Sequence, residues 1–202
     1  MSVSANAIVA LDLVKERLKE NKADNDAVIE RMIDTFTRLI ELEIRGPVKQ
    51  RTITDYRFSG NGGASMRLPR SITPLISITK IEIRNNTTDV VEESLTAASD
   101  WIIKDLDTGL IRLTDKTFTL GVNNVLLTGS VGYSTADERY RPFEDACYIA
   151  IEDYYRRWGL RELGVVTKTY SDGSVSLIPA ASLPPICKQM LAAARPHRPM
   201  VR

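Results

Sequence analysis

The sequence predicts an α+β protein: an α-helical bundle, with two N-terminal helices plus C-terminal helices, interrupted by an antiparallel β insertion. Three observations predict it. Apolar residues recur at helical spacing up to residue 46 and again from residue 141. Between them the texture switches to short β-branched runs punctuated by Gly, Asn and Asp turns. The first two helices are too few to bury their own apolar stripes, so they are expected to pack on the helix that follows Pro142. The expected organisation is a single domain over 1–202, with a helical core at 1–46 and 141–195. The β insertion covers 47–133, and an extended tail covers 196–202.

The first helix is expected over 5–20, where Ala7, Leu11, Val14 and Leu18 form one stripe and Lys15, Glu16, Lys19 and Glu20 take the other faces. Asp24-Asn25-Asp26 offers caps for a second helix reaching about Ile44. Its stripe is Ile29, Ile33, Phe36, Ile40 and Ile44, widened by Met32 and Leu39, and Gly46-Pro47 stops it. Five or six short strands follow. Thr52 to Phe58 lead into a flexible turn, Ser59-Gly60-Asn61-Gly62-Gly63. Ile76-Ser77-Ile78-Thr79-Lys80-Ile81-Glu82-Ile83 alternates as a half-buried strand does. Trp101–Lys104, Leu110–Leu113 and Val125–Tyr133 complete the set.

Helical texture returns at Arg141-Pro142, where proline suits a first turn. Phe143, Cys147, Ile151, Tyr154 and Trp158 form its stripe and Gly159 ends it. Residues 160–178 read as a mixed loop turning at Ser171-Asp172-Gly173, either a hairpin or an arm. Pro184-Pro185 introduces a short helix, Ile186–Ala194. Pro196 and Pro199 then keep the tail extended.

Composition excludes several classes. Hydrophobic residues at 43% and charged ones at 26% are a soluble globular mixture and argue against disorder. One histidine, His197, and two distant cysteines, Cys147 and Cys187, supply neither zinc spacings nor a histidine-assisted nucleophile. The cysteines are expected as core residues of a protein from a reducing compartment. No apolar run approaches the ~20 residues of a membrane span, and the N-terminus lacks signal-peptide character. No catalytic residue, metal or cofactor is expected.

Three motifs invite chemistry and read more simply as structure. Gly60 to Gly63 lacks a following G-K-[ST] and lies between strands, so it is expected as a mobile hairpin tip rather than a phosphate loop. Glu144, Asp145, Glu152 and Asp153 have no histidine partner, and Glu152 with Arg156 fits an i, i+4 salt bridge. Tyr154 and Trp158 fall on the core stripe, and Tyr148 and Tyr155 suit packing or an interface. The alternative reading is a small ligand- or carbohydrate-binding or regulatory module whose site is the Gly60–Gly63 loop with surface aromatics.

Charge is more informative. The total is +1, too low for a protein that coats nucleic acid electrostatically. That total conceals blocks. Lys49, Arg51, Arg57, Arg67 and Arg70 face only Asp55 between residues 46 and 72. Asp89, Glu92, Glu93, Asp100, Asp105 and Asp107 face only Lys104 between 86 and 108. Lys168, Lys188, Arg195, Arg198 and Arg202 make the C-terminal region basic again. Opposite blocks in one β module suit head-to-tail contacts between copies, with Arg51, Arg57 and Arg67 of one meeting Glu92, Glu93 and Asp105 of another.

The order of features resembles the head–tail connector (adaptor, or head-completion) proteins of long-tailed bacteriophages. The pieces that carry the resemblance are Leu11-Asp12-Leu13-Val14-Lys15-Glu16-Arg17-Leu18, the acidic break at Asp24-Asn25-Asp26, and the long helix ending Ile44-Arg45-Gly46. Next come Leu68-Pro69, Ile72-Thr73-Pro74-Leu75-Ile76-Ser77-Ile78, Gly109-Leu110-Ile111-Arg112-Leu113 and Val125 to Gly132-Tyr133. The Pro142 helix with Tyr154-Tyr155-Arg156-Arg157 and the proline-led last helix complete them. The resemblance implies a non-enzymatic virion part, made in a bacterial host's cytoplasm. It implies a ring, usually of twelve copies, beneath the portal protein, extending the DNA channel toward a tail-side neck, stopper or tail-terminator protein. It also implies portal docking by the C-terminal segment, here Ile186, Met190, Leu191, Arg195, His197, Arg198 and Arg202. Channel DNA would be met through phosphate only, and no membrane is involved.

Overall fold

Helices occupy the two ends of the chain and strands its middle, in a mixed α+β arrangement. The computed structural model describes residues 3–85, 87–96, 99–160, 167–170, 173–176 and 182–194. The chain divides into a unit formed by Met1–Ile44 with Asp137–Arg195, and a unit built on Arg45–Ala136.

In the first unit, helix α1 spans Leu11–Leu18, shorter than the 5–20 read from periodicity. Lys19, left-handed at φ 54°, ends it, and Ala10 before it is extended. Ala7, Ile8 and Val9 are nevertheless buried. Side chains from elsewhere hold this segment by its backbone: the Ile8 N–H donates to Thr37 Oγ1 (3.1 Å), and the Ile8 carbonyl accepts from Tyr140 Oη (2.6 Å). These tertiary hydrogen bonds satisfy groups that a helix would have used itself.

A single 3-10 turn, Ala23–Asn25, opens into helix α2, Asp26–Ile44. Its predicted stripe is buried at Ile29, Ile33, Phe36 and Ile40, with Met32 beside them. Helix α3, Arg141–Gly159, has its proline in the first turn and buries Phe143, Cys147 and Ile151. Ala146 and Ala150, both buried, lie along the same side. Helix α4, Pro185–Ala194, buries Cys187 and Leu191. Helix α2 packs on α1, α3 and α4, and α3 packs on α4.

The second unit carries strands β1 (Arg51–Phe58), β2 (Ser65–Arg67), β3 (Leu75–Arg84), β4 (Val91–Leu95), β5 (Trp101–Asp105), β6 (Leu110–Leu113) and β7 (Val125–Val131). The two strands not foreseen are β2, only three residues long, and β4, whose Glu92-Glu93-Ser94 gives no apolar alternation. A four-stranded sheet runs β1-β7-β3-β4 and a three-stranded sheet runs β2-β6-β5, every pairing antiparallel. One core joins the two sheets, with Ile81, Ile83, Val125 and Leu127 from the first and Met66, Trp101, Ile111 and Leu113 from the second. Back in the first unit, β8 (Thr167–Tyr170) and β9 (Gly173–Ser176) pair antiparallel.

Strand β3 is buried in a different phase from its sequence alternation. Its register on β7 shifts between Leu75 and Ser77 and again between Ile78 and Lys80. Each bulge adds one residue and so reverses the inward–outward parity of the strand beyond it. Core-facing positions therefore fall at Leu75, Ile78, Ile81 and Ile83, while Ile76 remains 36% exposed.

Candidate functional site

No constellation for covalent or hydrolytic chemistry forms among the described residues. Burial pushes the Cys147 thiol up to about 12 and the Cys187 thiol up to about 11, so neither is a nucleophile at neutral pH. Both are free and buried. No group of three His, Cys, Asp or Glu side chains among the described residues is placed to hold a metal ion. No helix among them is long and apolar enough to cross a membrane.

The acidic residues of α3 are tied up structurally, though not as the spacing suggested. Glu152 pairs with Arg17 of α1, while Arg156 pairs with Asp153 one turn away (3.4 Å). Asp153 also meets the buried Arg157 (3.6 Å). Arg17 also lies 4.7 Å over the Tyr148 ring, so this exposed guanidinium serves two partners on α3. Tyr148 is buried, as are Tyr140 and Phe143. Tyr154 and Trp158, read as core, instead line an open cavity of about 300 Å³ with Val28, Arg31, Met32, Thr35 and Phe36. Tyr154 stacks edge-on against Phe36 at 5.6 Å.

The Gly60–Gly63 loop is laced to residues 118–124 instead of projecting as a loose hairpin tip. Gly62 N–H donates to the Phe118 carbonyl (2.7 Å), Phe118 N–H to Gly63 (2.9 Å) and Gly121 N–H to Gly60 (3.2 Å). Asn124 Oδ1 accepts from Gly60 N–H at 2.9 Å, and Phe118 is fully buried beneath. The amides of Gly60 and Gly62, which a phosphate loop would aim at its ligand, are thereby used. The double loop presents Leu120 and Val122, 72% and 77% exposed. Sequence reading missed this pair; its signal is two aliphatics in a Gly- and Asn-rich turn.

The charged blocks resolve into defined partners. Arg57 forms a two-point contact with Asp89 (3.1 and 3.2 Å). Asp89 continues to Arg84, Arg84 to Glu82, Glu82 to Lys80 and Lys80 to Asp55, at 3.5, 3.2, 2.9 and 3.6 Å. This chain of alternating charge lies on the face of the four-stranded sheet away from its core. The hydrogen bond from Lys80, then that from Arg84, holds the Glu82 carboxyl below its ordinary value. The Arg57 contact does the same for Asp89. Lys80, Glu82 and Arg84 at i, i+2 and i+4 were the legible trace of this row. Glu93 pairs with Lys116, and Glu92 accepts from the Asn85 amide (2.7 Å). Asp105 caps its own turn through Thr108 (2.7 Å), which lowers its pKa, and Arg67 adds a smaller effect from across β6. Arg51 is half-buried at the start of β1.

On α4, Ile186 is 54% exposed, Met190 is half-buried and Leu191 is fully buried, so Leu191 anchors the helix while the other two reach the surface. Arg195, His197, Arg198 and Arg202 lie outside the described residues.

No protein-family model matches the sequence, and no curated protein does. Solved structures do match. A chain from the neck of an empty GTA particle, computed with C6 symmetry, superposes with a TM-score of 0.61 at 13% identity, covering 99% of this chain and 96% of that one. A chain from the neck of the native particle, computed with C12 symmetry, gives 0.59 at 13% identity and the same coverage. A chain from the virion of a native gene transfer agent (GTA) particle gives 0.54 at 14% identity, covering 99% and 95%. This chain has their fold. The likeness runs through both of its units and leaves almost none of either chain unmatched.

Proposed function

We propose that this protein is a structural component of a virion neck: a head–tail connector adaptor that forms a ring under the portal protein, extends the DNA channel and gives the tail a platform. The observation that carries this reading is the full-length likeness to chains from particle necks of six- and twelve-fold symmetry. The described residues are compatible with it: Glu152 and Asp153 of α3 are held in ion pairs and both thiols are buried. On this reading the whole chain acts as a single domain, a helical bundle carrying a β insertion. It is made in the host cytoplasm and ends in the particle.

The C-terminal segment is the proposed portal contact. Ile186 and Met190 offer apolar surface on α4, and Arg195, His197, Arg198 and Arg202 follow it in the chain. Mixing the purified protein with portal protein is expected to give a symmetric ring complex by electron microscopy. Deleting residues 196–202, or introducing Ile186→Asp with Met190→Asp, is expected to weaken that complex while thermal stability holds. A protein that stays monomeric and shows no portal affinity at any salt concentration would remove the adaptor reading.

A further inference from the structure

Each edge of the four-stranded sheet has a neighbour on one side only among the described elements: β1 borders β7 and β4 borders β3. We propose that these two edges join between copies, β4 of one against β1 of the next, so that the sheet continues from subunit to subunit. The proposal deepens the ring reading above and rests on it.

Topology makes the junction possible. All three pairings within this sheet are antiparallel, so its outer strands β1 and β4 run in opposite directions. Rotating a copy about an axis along the strands preserves their directions, and β4 then meets the next β1 antiparallel, as every pair inside the sheet already does. The three-stranded β2-β6-β5 sheet lacks this property. Its outer strands run the same way, and repetition would give a parallel junction.

Charge selects this junction over its competitors. Lys49, Arg51 and Arg57 lie on or just before β1, against Asp55 alone. Asp89, Glu92 and Glu93 lie on or just before β4 with no cation among them. Two-fold pairing of β1 with β1, or of β4 with β4, would set like charges opposite each other. Head-to-tail pairing sets ammonium and guanidinium groups against carboxylates, which favours an extending or closing assembly over a dimer. Lys49 and Arg51 on the β1 side and the exposed Glu92 on the β4 side carry the opposite charges that such a junction sets face to face. Val90 and Val91, 62% and 40% exposed beside the β4 edge, are apolar surface that such a junction covers. The bulge between Ile53 and Tyr56 and the five-residue length of β4 keep each ladder short. Ring closure gives every copy two such ladders.

The test uses the full chain, with assembly read by sedimentation velocity and electron microscopy, alone and with portal protein. Glu92→Lys with Glu93→Lys makes both edges basic, and Lys49→Glu with Arg51→Glu makes both acidic. Each variant is expected to keep its circular dichroism and lose ring formation. Their equimolar mixture is expected to regain rings of alternating copies, because every junction again joins opposite charges. Rings formed by either variant alone, or a mixture that stays unassembled, overturn the edge junction while wild-type rings keep the adaptor reading. Wild-type protein that never forms rings overturns the adaptor reading, and this one with it. Should a charge variant unfold, Thr54→Cys with Ser94→Cys, both positions at the strand edges, replaces it. A short bis-maleimide then yields a ladder of covalent multimers if the edges meet and monomers if they do not; the buried native thiols stay unreacted.

Discussion

Gly132 shows how much a single position can hold. Its φ of +94° lies where L side chains are strained, and a Cβ there would sit 2.5 Å from the Lys49 carbonyl oxygen. That oxygen belongs to the backbone, so nothing flexible can yield. Gly132→Ala is expected to cost about 1–3 kcal/mol from the backbone conformation alone, read as a lower denaturant midpoint. Glu82 offers a test by pH. Its carboxyl is depressed by Lys80 and Arg84, so its contribution is fully present above the unfolded value and is lost as pH falls through the lower folded one. Glu82→Gln is therefore expected to be less stable than wild type at neutral pH, with the difference shrinking as the solution is acidified below about pH 4.5. A gap in urea midpoints that stays constant to pH 2 would show that the carboxylate charge is irrelevant.

Strand β3 makes the case for elements. The alternation read from the sequence breaks at Thr79-Lys80: isoleucine stands at 76, 78, 81 and 83, a set that no single two-residue period accommodates. Two bulges supply that break and direct Ile78, Ile81 and Ile83 to the core while leaving Ile76 at the surface. Ile81→Ala is expected to cost about 2–5 kcal/mol and Ile76→Ala less than about 1 kcal/mol by chemical denaturation. Equal effects would contradict the bulged register. The same element scale explains α1. Periodicity ran from residue 5 to 20 because Ala7 does reach the core, but it does so from an extended segment held by Thr37 and Tyr140. A stripe reports which residues are buried and only indirectly the backbone that carries them.

For the whole molecule, near-neutral charge and its segregation have separate consequences. With a total of +1, duplex DNA is expected to bind weakly, only at low salt and without sequence preference. A gel-shift series in which affinity persists at about 0.2 M salt would require a concentrated cationic surface that the ion-paired Arg57 and Arg84 do not supply. Segregated charge instead favours protein contacts, because a basic edge and an acidic edge on one sheet discriminate between partners and between pairing modes.

The sequence by itself determined the order of elements, the extents of α2, α3 and α4, and most of the strands, since helical stripes and β-branched runs are local patterns. It also argued against a histidine- or cysteine-based reaction, because one histidine and two distant cysteines give no such arrangement, and it carried the resemblance to connector proteins. Tertiary structure alone decided which partner each charge takes. Glu152 turned to Arg17, 135 residues away in the chain, instead of to Arg156 one turn on, because α1 brings a guanidinium to α3 that helical spacing cannot report. It likewise decided that Gly60 to Gly63 would be laced to residues 118–124, and that Tyr148 would be buried while Trp158 lined a cavity. Each of these outcomes depends on a neighbour distant in sequence, which a pattern of adjacent residues does not report.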